Sequence, residues 1–281
     1  MKNYAPARIL ALTLCAAIAG CAADEEPPPE ENKLRVTCTT TLMSSVVDAV
    51  GGDKVDVNII VPFGMCPGHF DLTPGEADKL RNADMVLYHG FEQFLEGVET
   101  SPETDMIKAG VHGNWMIPAV HIRAIERIES VLVEATPGAS EFFAKKADSY
   151  SRAVTREAQL YTKLLKPIQG ARVVCAEMNR DLAEWMGLEV VAVFPRDEAV
   201  SVKALHRILT EGRKQQASLV IDNRQSSGKI GRTIADELNV PFAMLSNFPG
   251  TGSPVPGAQP YLAALSNNCS AVVNALKTED E

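Results

Sequence analysis

The sequence predicts an α/β protein with two parallel-sheet lobes, joined by one long connecting helix and separated by a ligand cleft. Short apolar strands alternate with helices over residues 34–137 and again over 168–281, the pattern of βα units with parallel strands. Residues 139–165 have helical composition without Gly or Pro, so they would form a strut about 40 Å long. Arg172-Val173-Val174-Cys175 also repeats Arg35-Val36-Thr37-Cys38 at the same point of each half.

The first 21 residues predict a signal peptide. Lys2 and Arg8 give it a basic start, and the apolar run that follows is too short for a permanent transmembrane helix. The run ends in Ile18-Ala19-Gly20-Cys21, which resembles the lipobox of bacterial lipoproteins. We therefore expect cleavage before Cys21 and lipidation of that cysteine. An ordinary secretory signal with an incidental cysteine is the alternative.

The rest of the chain divides into a tether and three folded parts. Residues 22–33 are rich in Pro and Glu, with three consecutive prolines at 27–29, and predict an extended tether. An N-terminal α/β lobe at residues 34–137, a connecting helix at 138–167 and a C-terminal α/β lobe at 168–281 follow. The protein is expected to be exported and lipid-anchored at the cell membrane, on its periplasmic or extracellular face.

The composition and the charge exclude several classes of function. The chain has 281 residues, and its 27 Lys and Arg against 36 Asp and Glu give a formal charge of −9. An acidic chain of this kind argues against an extended nucleic-acid interface. No Gly-x-Ser-x-Gly, Walker or dinucleotide motif stands in a suitable context, so we expect neither an enzyme nor a catalytic cofactor.

In the first lobe, Thr73 is the clearest helix start, because Pro74 follows it and Glu76 completes a capping box. The stretch from His89 to Pro118 shows no regular pattern. The predicted strands are 35–38, 55–61 and 84–88, and the predicted helices are 39–50, 73–82 and 118–134.

In the second lobe, a strand that ends at Pro195 repeats the way in which the second strand of the first lobe ends at Pro62. The predicted strands are 172–175, 188–194, 218–221 and 242–245, and the predicted helices are 181–186, 201–215, 227–238 and 261–277.

The loop after Pro62 contains the strongest functional signal. It is rich in Gly and Pro, and it carries Cys66, His69 and Asp71 before the next helix. Open α/β sheets bind their ligands at the carboxyl ends of the strands, and imidazole and thiolate groups are ligands that transition metals select. The loop is therefore predicted to line the cleft and to bind a metal.

Four short motifs resemble those of the zinc- and manganese-type solute-binding lipoproteins of bacterial ABC importers. The first, Asp-Pro-His-x-Tyr-Glu-Pro-Thr-Pro in that family, aligns with residues 66–74. Pro67 and the pair Thr73-Pro74 agree with it. The position of the family's ligand histidine holds Gly68, and His69 follows one residue later.

The second motif, Asp-Pro-His-x-Trp-Leu-x-Pro in the family, aligns with residues 111–118. Trp115 and Pro118 agree with it. The ligand position is Gly113, and His112 comes one residue before it. In both motifs a glycine therefore stands where the family has a histidine, with a histidine beside it.

The other two motifs lie in the second lobe. Glu177, directly after the first strand, occupies a position that manganese-type members also fill with Glu. Asn247, after the last strand, replaces the family's aspartate with an amide. Asp222 is a further carboxylate that we expect to point into the cleft, and a turn-forming role before Asn223 is its alternative.

The resemblance implies a solute-binding protein that passes a divalent metal ion, zinc or manganese, to an ABC permease. The metal would be the transported ligand rather than a catalytic cofactor, and the partners would be the permease and the membrane. The expected metal ligands are His69, His112, Glu177 and Asn247 from the motifs, with Asp222 added from its place at the end of a strand. His89, His121 and His206 are interpreted as structural or surface histidines.

Four cysteines follow Cys21, and two interpretations of them stay open. Export to an oxidising compartment favours disulfides, and the sequence does not choose among the three possible pairings. One of them, Cys38–Cys66 with Cys175–Cys269, would fix the metal loop. Thiolates at the cleft, with nearby methionines, would instead suit copper(I) or another soft ion.

Two other functions also stay open. One is a receptor of the same fold for a non-metal or chelated small solute. The other is a surface lipoprotein for adhesion or assembly.

Overall fold

Four strands and four helices build the N-terminal half of the computed structural model, which describes residues 33–250 and 259–277. The four strands are parallel, and the second strand lies outside the first, so their order is 2-1-3-4. The elements are β1 (Leu34–Thr40), α1 (Thr41–Gly51), β2 (Val55–Val61), α2 (Pro74–Arg81), β3 (Met85–Tyr88), β4 (Asp105–Lys108), α3 (Pro118–Ala135) and α4 (Ser140–Leu164).

The C-terminal half repeats this arrangement. Its strands are parallel and have the order β6-β5-β7-β8, which matches β2-β1-β3-β4 strand for strand. The elements are β5 (Arg172–Ala176), α5 (Arg180–Trp185), β6 (Glu189–Phe194), α6 (Val202–Lys214), β7 (Leu219–Asn223), α7 (Lys229–Leu238), β8 (Phe242–Leu245) and α8 (Pro260–Lys277).

The strand order locates the functional edge of each sheet. The direction in which strands are added reverses beside β1 in one half and beside β5 in the other. Parallel sheets of this kind bind ligands in the crevice at the carboxyl ends of the strands that flank such a reversal. The predicted fold class, two parallel α/β lobes, is confirmed.

Local capping explains where the helices at this edge begin. The Thr40 hydroxyl accepts a hydrogen bond from the Met43 amide at the start of α1. At α2, Thr73 and Glu76 form the predicted capping box, in which the Glu76 carboxylate accepts from the Thr73 amide at 2.7 Å. Caps of this kind stabilise a helix by about 1 kcal/mol each. They also fix the direction in which each loop leaves its strand.

The connecting helix α4 packs into the core. Phe143, Ala147, Tyr150 and Val154 recur at helical spacing and are buried. They belong to the largest hydrophobic cluster, which contains residues of both halves. The two sheets are therefore connected through a shared core as well as through one helix.

The last helix, α8, extends this shared core to the N-terminal half. The Tyr261 hydroxyl donates to the Met116 carbonyl at 3.0 Å, and its ring stacks on His121 at 3.4 Å. Tyr150 contacts the same histidine, because its hydroxyl lies 3.0 Å from His121 Nε2. Helices α4 and α8 thus meet around one buried histidine.

The strand β4 was not predicted. It lies at the edge of its sheet, and Met106 is exposed while the strand has no fully buried residue. A short edge strand of this kind has no alternating apolar pattern, which is the signal that sequence reasoning uses.

The predicted signal peptide, tether and lipidation site Cys21 lie outside the described residues. Among the residues that the structure does describe, no helix combines the length and the apolar character needed to span a bilayer.

Candidate functional site

The carboxyl ends of the two sheets face each other across a cleft of about 530 Å³. Loops after the strands of both halves supply its walls. The residues that line it are Leu42, Cys66, Pro67, Gly68, His69, His89, Phe91, Gly113, Asn114, Trp115, Glu177, Met178, Asp181, Arg196, Asn223, Gln225, Asn247 and Phe248.

His69 lies on the N-terminal wall of the cleft. It ends a short 3-10 turn, Pro67–His69, in the loop after β2. Its Nε2 atom lies 3.7 Å from a carboxylate oxygen of Glu198, which belongs to the opposite half, and both side chains are more than half exposed. The imidazole is therefore accessible to a ligand in the cleft.

Glu177 and Asn247 lie on the C-terminal wall. Glu177 follows β5 and is exposed to the cleft. Asn247 is buried, and its side-chain oxygen accepts a hydrogen bond of 2.8 Å from Asn114 of the other half. Its amide nitrogen donates to the Met178 carbonyl and to Asn179. Both polar atoms of Asn247 are thus already used within the protein.

His112 and Asp222 are not among the residues that line the cleft. The His112 side chain is exposed, and the neighbouring Gly113 reaches the cleft instead. Gly113 has a φ of +101°, a conformation that favours glycine, so the loop turns at this point.

Asp222 is only 1 % exposed, and it anchors the start of α7. Its carboxylate accepts hydrogen bonds from the backbone amides of Asn223, at 2.6 Å, and Gly231, at 3.2 Å. A Cβ atom on Gly231 would lie 2.4 Å from this carboxylate, so the helix packs directly onto it. Burial raises the pKa of Asp222. The expectation that it points into the cleft is not met.

All four cysteines of the described residues, Cys38, Cys66, Cys175 and Cys269, are free thiols, so neither predicted disulfide is present. Three of them are buried in the core, where burial raises the pKa of Cys38, Cys175 and Cys269, the last to about 12. Such thiols are unreactive at neutral pH. Of these four cysteines only Cys66 lines the cleft, so Cys38 and Cys175 are not available there as ligands of a soft metal.

Sequence reasoning did not single out Arg196 and Glu198. They follow Pro195 at the end of β6, the position that the His69 loop occupies after Pro62 in the other half. Arg196 Nε lies 3.1 Å from the Glu198 carboxylate, and its Nη1 contacts the Cys66 sulfur across the cleft. The sequence did contain a signal for this loop, because Pro195 ends a strand of the second lobe as Pro62 does in the first.

His89 was interpreted as a structural or surface residue, but it forms part of the cleft wall. Its Nε2 atom lies 2.9 Å from the Thr40 hydroxyl. The ring stacks on Phe91 at 5.0 Å and meets Trp115 edge-on at 4.6 Å. Burial lowers the pKa of His89 to about 4, so the imidazole is neutral at pH 7.

A buried carboxylate, Glu92, holds this wall in place. It accepts hydrogen bonds from the Thr39 hydroxyl and from the backbone amides of His89, Gly90 and Phe91. Burial alone would raise the pKa of Glu92, but these hydrogen bonds outweigh burial and lower it. Because all these donors point at Glu92, the carboxylate is a structural anchor and not an available ligand.

The donors on the cleft wall are few. Among residues 33–250 and 259–277, no three His, Cys, Asp or Glu side chains are arranged to hold one metal ion. His69, Glu177 and Glu198 together line a pocket that shares residues with the cleft, and His69 Nε2 lies 3.7 Å from a Glu198 oxygen. The two walls would have to approach further to place all three on one ion.

Two parallel α/β lobes around a cleft define a solute-binding class of protein. Residues 36–275 match the family described as zinc-uptake complex component A, periplasmic. The chain belongs to this family, known as ZnuA, and the predicted resemblance is confirmed.

Curated relatives match over shorter stretches. The manganese-binding lipoprotein MntA of Bacillus subtilis (strain 168) is 26 % identical over 155 residues, which is 48 % of this chain and 51 % of MntA. The manganese ABC transporter substrate-binding lipoprotein PsaA of Streptococcus anginosus is 30 % identical over 90 residues, 32 % of this chain and 29 % of PsaA. The chain spans about half, or less, of the length of these relatives.

Solved structures agree in fold over a longer range. A manganese-bound periplasmic metal-binding protein from Candidatus Liberibacter asiaticus superposes with a TM-score of 0.75 at 19 % identity, covering 87 % of this chain and 100 % of that one. A zinc-bound ZnuA deletion mutant gives 0.74 at 18 % identity, covering 87 % and 98 %. At these identities the likeness establishes the fold.

Proposed function

We propose that the protein is the solute-binding component of a bacterial ABC importer, which captures a divalent transition metal, zinc or manganese, and delivers it to the membrane permease. The observation that carries this proposal is the cleft itself. Its opposite walls present His69 and Glu177, an imidazole and a carboxylate that suit these metals. Membership of the ZnuA family, and the names of its manganese- and iron-transport relatives, support it.

His69, Glu177 and Glu198 are the protein donors that we assign to the metal. Asn247 could join them only by giving up the hydrogen bond from Asn114. His112 could join them only if the loop at Gly113 changed its turn. Asp222 has no place in this set, because it is buried at the start of α7.

We assign the protein a place outside the cytoplasm, on a membrane to which Cys21 attaches it through a lipid. The lipobox-like stretch before Cys21 supports this, and the curated relatives are named lipoproteins. The role is binding and not catalysis, in line with a family of uptake components.

Calorimetry on residues 22–281 tests the metal proposal. Zinc, manganese, iron, copper, cobalt and nickel would each be titrated into the apoprotein. We expect saturable binding of one ion per chain for at least one of the first two. His69→Ala and Glu177→Gln should each weaken it tenfold or more, which corresponds to about 1.4 kcal/mol.

Matched controls separate the site from general effects. His206→Ala and Glu184→Gln alter exposed side chains on α6 and α5, outside the cleft, and should leave the affinity unchanged. If none of the six metals shows saturable binding, the metal proposal fails. A receptor for a metal-free solute, which the volume of the cleft favours, would then take its place.

A further inference from the structure

A fixed positive charge stands in the cleft beside the proposed metal donors. The Arg196 guanidinium contacts Cys66 and Glu198, and its side chain is 28 % exposed. Arginine remains protonated under all physiological conditions. Glu198 pairs with the Nε side of this guanidinium, and the planar group has further N–H donors that can form parallel hydrogen bonds with a carboxylate of a ligand.

The cleft is also larger than an ion requires. Metal–ligand distances of about 2.0–2.6 Å bring protein donors into direct contact with an ion and leave little space around it. A volume of about 530 Å³ lies instead in the range of pockets for small organic molecules.

Part of the wall is apolar and aromatic. Phe91, beside the neutral imidazole of His89, is 52 % exposed, and Met178 on the other wall is 59 % exposed. Trp115 completes the N-terminal wall at the edge of the His89 ring. Contact between such surfaces and the carbon atoms of a ligand stabilises a complex, and a hydrated ion has no carbon atoms to contact.

The protein donors leave coordination positions unfilled. The described residues hold no trio of His, Cys, Asp or Glu around one point. His69 with Glu177 or Glu198 can supply two or three positions of a tetrahedral or octahedral ion. Other donors have to supply the rest.

We propose that the cargo is a metal complex of a small organic polycarboxylate chelator. A carboxylate of the chelator pairs with Arg196, its carbon skeleton lies against Phe91 and Met178, and the metal completes its coordination with His69 and Glu177. This inference rests on the proposed function, and it specifies the form in which the metal is bound.

Competition with a chelator distinguishes this cargo from a bare ion. The protein would be equilibrated with zinc by dialysis, with citrate or nitrilotriacetate added in increasing excess. A receptor for the bare ion loses zinc in proportion to the fall in free metal. We expect this protein to retain zinc, and native mass spectrometry should show a complex of one protein, one zinc and one chelator.

Substitution of the cation provides the second measurement. Arg196→Gln should weaken the ternary complex at least tenfold, while its affinity for zinc alone should rise, because Glu198 loses its cationic partner. Arg207→Gln, an exposed residue on α6, is the matched control and should behave as wild type.

The outcomes separate the two proposals. If both chelators strip zinc as free-metal competition requires, or if Arg196→Gln retains the ternary complex, the inference is overturned while metal capture stands. If none of the six metals binds, either alone or as its chelate, both proposals fail.

Discussion

The two sheets have the same strand order, but the edges that face each other carry different kinds of side chain. The N-terminal edge presents neutral rings, His89, Phe91 and Trp115, together with the exposed His69. At the C-terminal edge the charged side chains are Glu177, Asp181 and Arg196, with Glu198 nearby. The fold therefore fixes where ligand-binding side chains stand, at the ends of parallel strands, and the loop residues decide what each wall contributes.

The two edges are also held by different kinds of anchor. In the N-terminal half the anchor is a buried charge, the Glu92 carboxylate, which gathers three backbone amides. In the C-terminal half it is a network of neutral amides around Asn247, linked to Asn179 and to Gln225. A charged anchor depends on all its donors, because a buried carboxylate without partners is costly. A neutral network tolerates the loss of one bond better.

The charged anchor gives the largest expected effect. Glu92→Gln removes the charge and one of the two acceptor oxygens that serve four donors, so it should destabilise the protein by about 3 kcal/mol. Urea unfolding at pH 7 measures this. Glu96→Gln, an exposed neighbour, is the control and should change stability by less than about 0.5 kcal/mol. An effect of Glu92→Gln as small as that of the control would contradict the anchor role.

Acid should destabilise the protein through His121, a buried residue of α3 in the N-terminal half. Burial lowers the pKa of His121 to about 3 from an ordinary value of about 6.5, so the unfolded chain takes up a proton that the folded one excludes. The contribution of His121 to stability is therefore fully present above pH 6.5 and falls as the pH drops. His89, whose pKa burial lowers to about 4, adds a loss in the same direction. The expected loss between pH 7 and 4.5 is about 2–3 kcal/mol from His121.

Urea unfolding at both pH values checks this, with His121→Phe beside wild type. The variant should be less stable at pH 7, because it loses the bonds to Trp115 and Tyr150, yet it should respond less to acid. His206→Ala, on the surface of the C-terminal half, should keep the full acid response. If His121→Phe kept it too, another group would be responsible.

Replacing Asn247, the centre of the neutral amide network, with Asp should have the smallest effect on stability. Asn247→Asp removes the two hydrogen bonds that its amide nitrogen donates to Met178 and Asn179, at a cost of about 1–2 kcal/mol. It also places a carboxylate at the cleft, so we expect the affinity for bare zinc to rise about tenfold. Asn268→Asp, a buried amide away from the cleft, should destabilise without raising the zinc affinity.

The sequence by itself determined the architecture, because parallel strands and packed helices leave periodic apolar patterns. It also placed the loop of His69 and the position of Glu177 at the cleft, since residues after consecutive parallel strands meet at one edge. The capping box at Thr73 was equally local, and the structure contains it.

Only the tertiary structure decided which of those polar groups remain available. Asp222 lies near the end of β7 and Asn247 follows β8, much as Glu177 follows β5. Backbone amides donate to the Asp222 carboxylate, however, and Asn114 of the other half donates to Asn247. The environment of the cysteines could not be predicted from the sequence either. Cys38 and Cys175 lie in the core, and Cys66 contacts Arg196, which is 130 residues away in the chain. A strand end shows that a side chain lies near the cleft, whereas its hydrogen-bond partners come from distant parts of the chain.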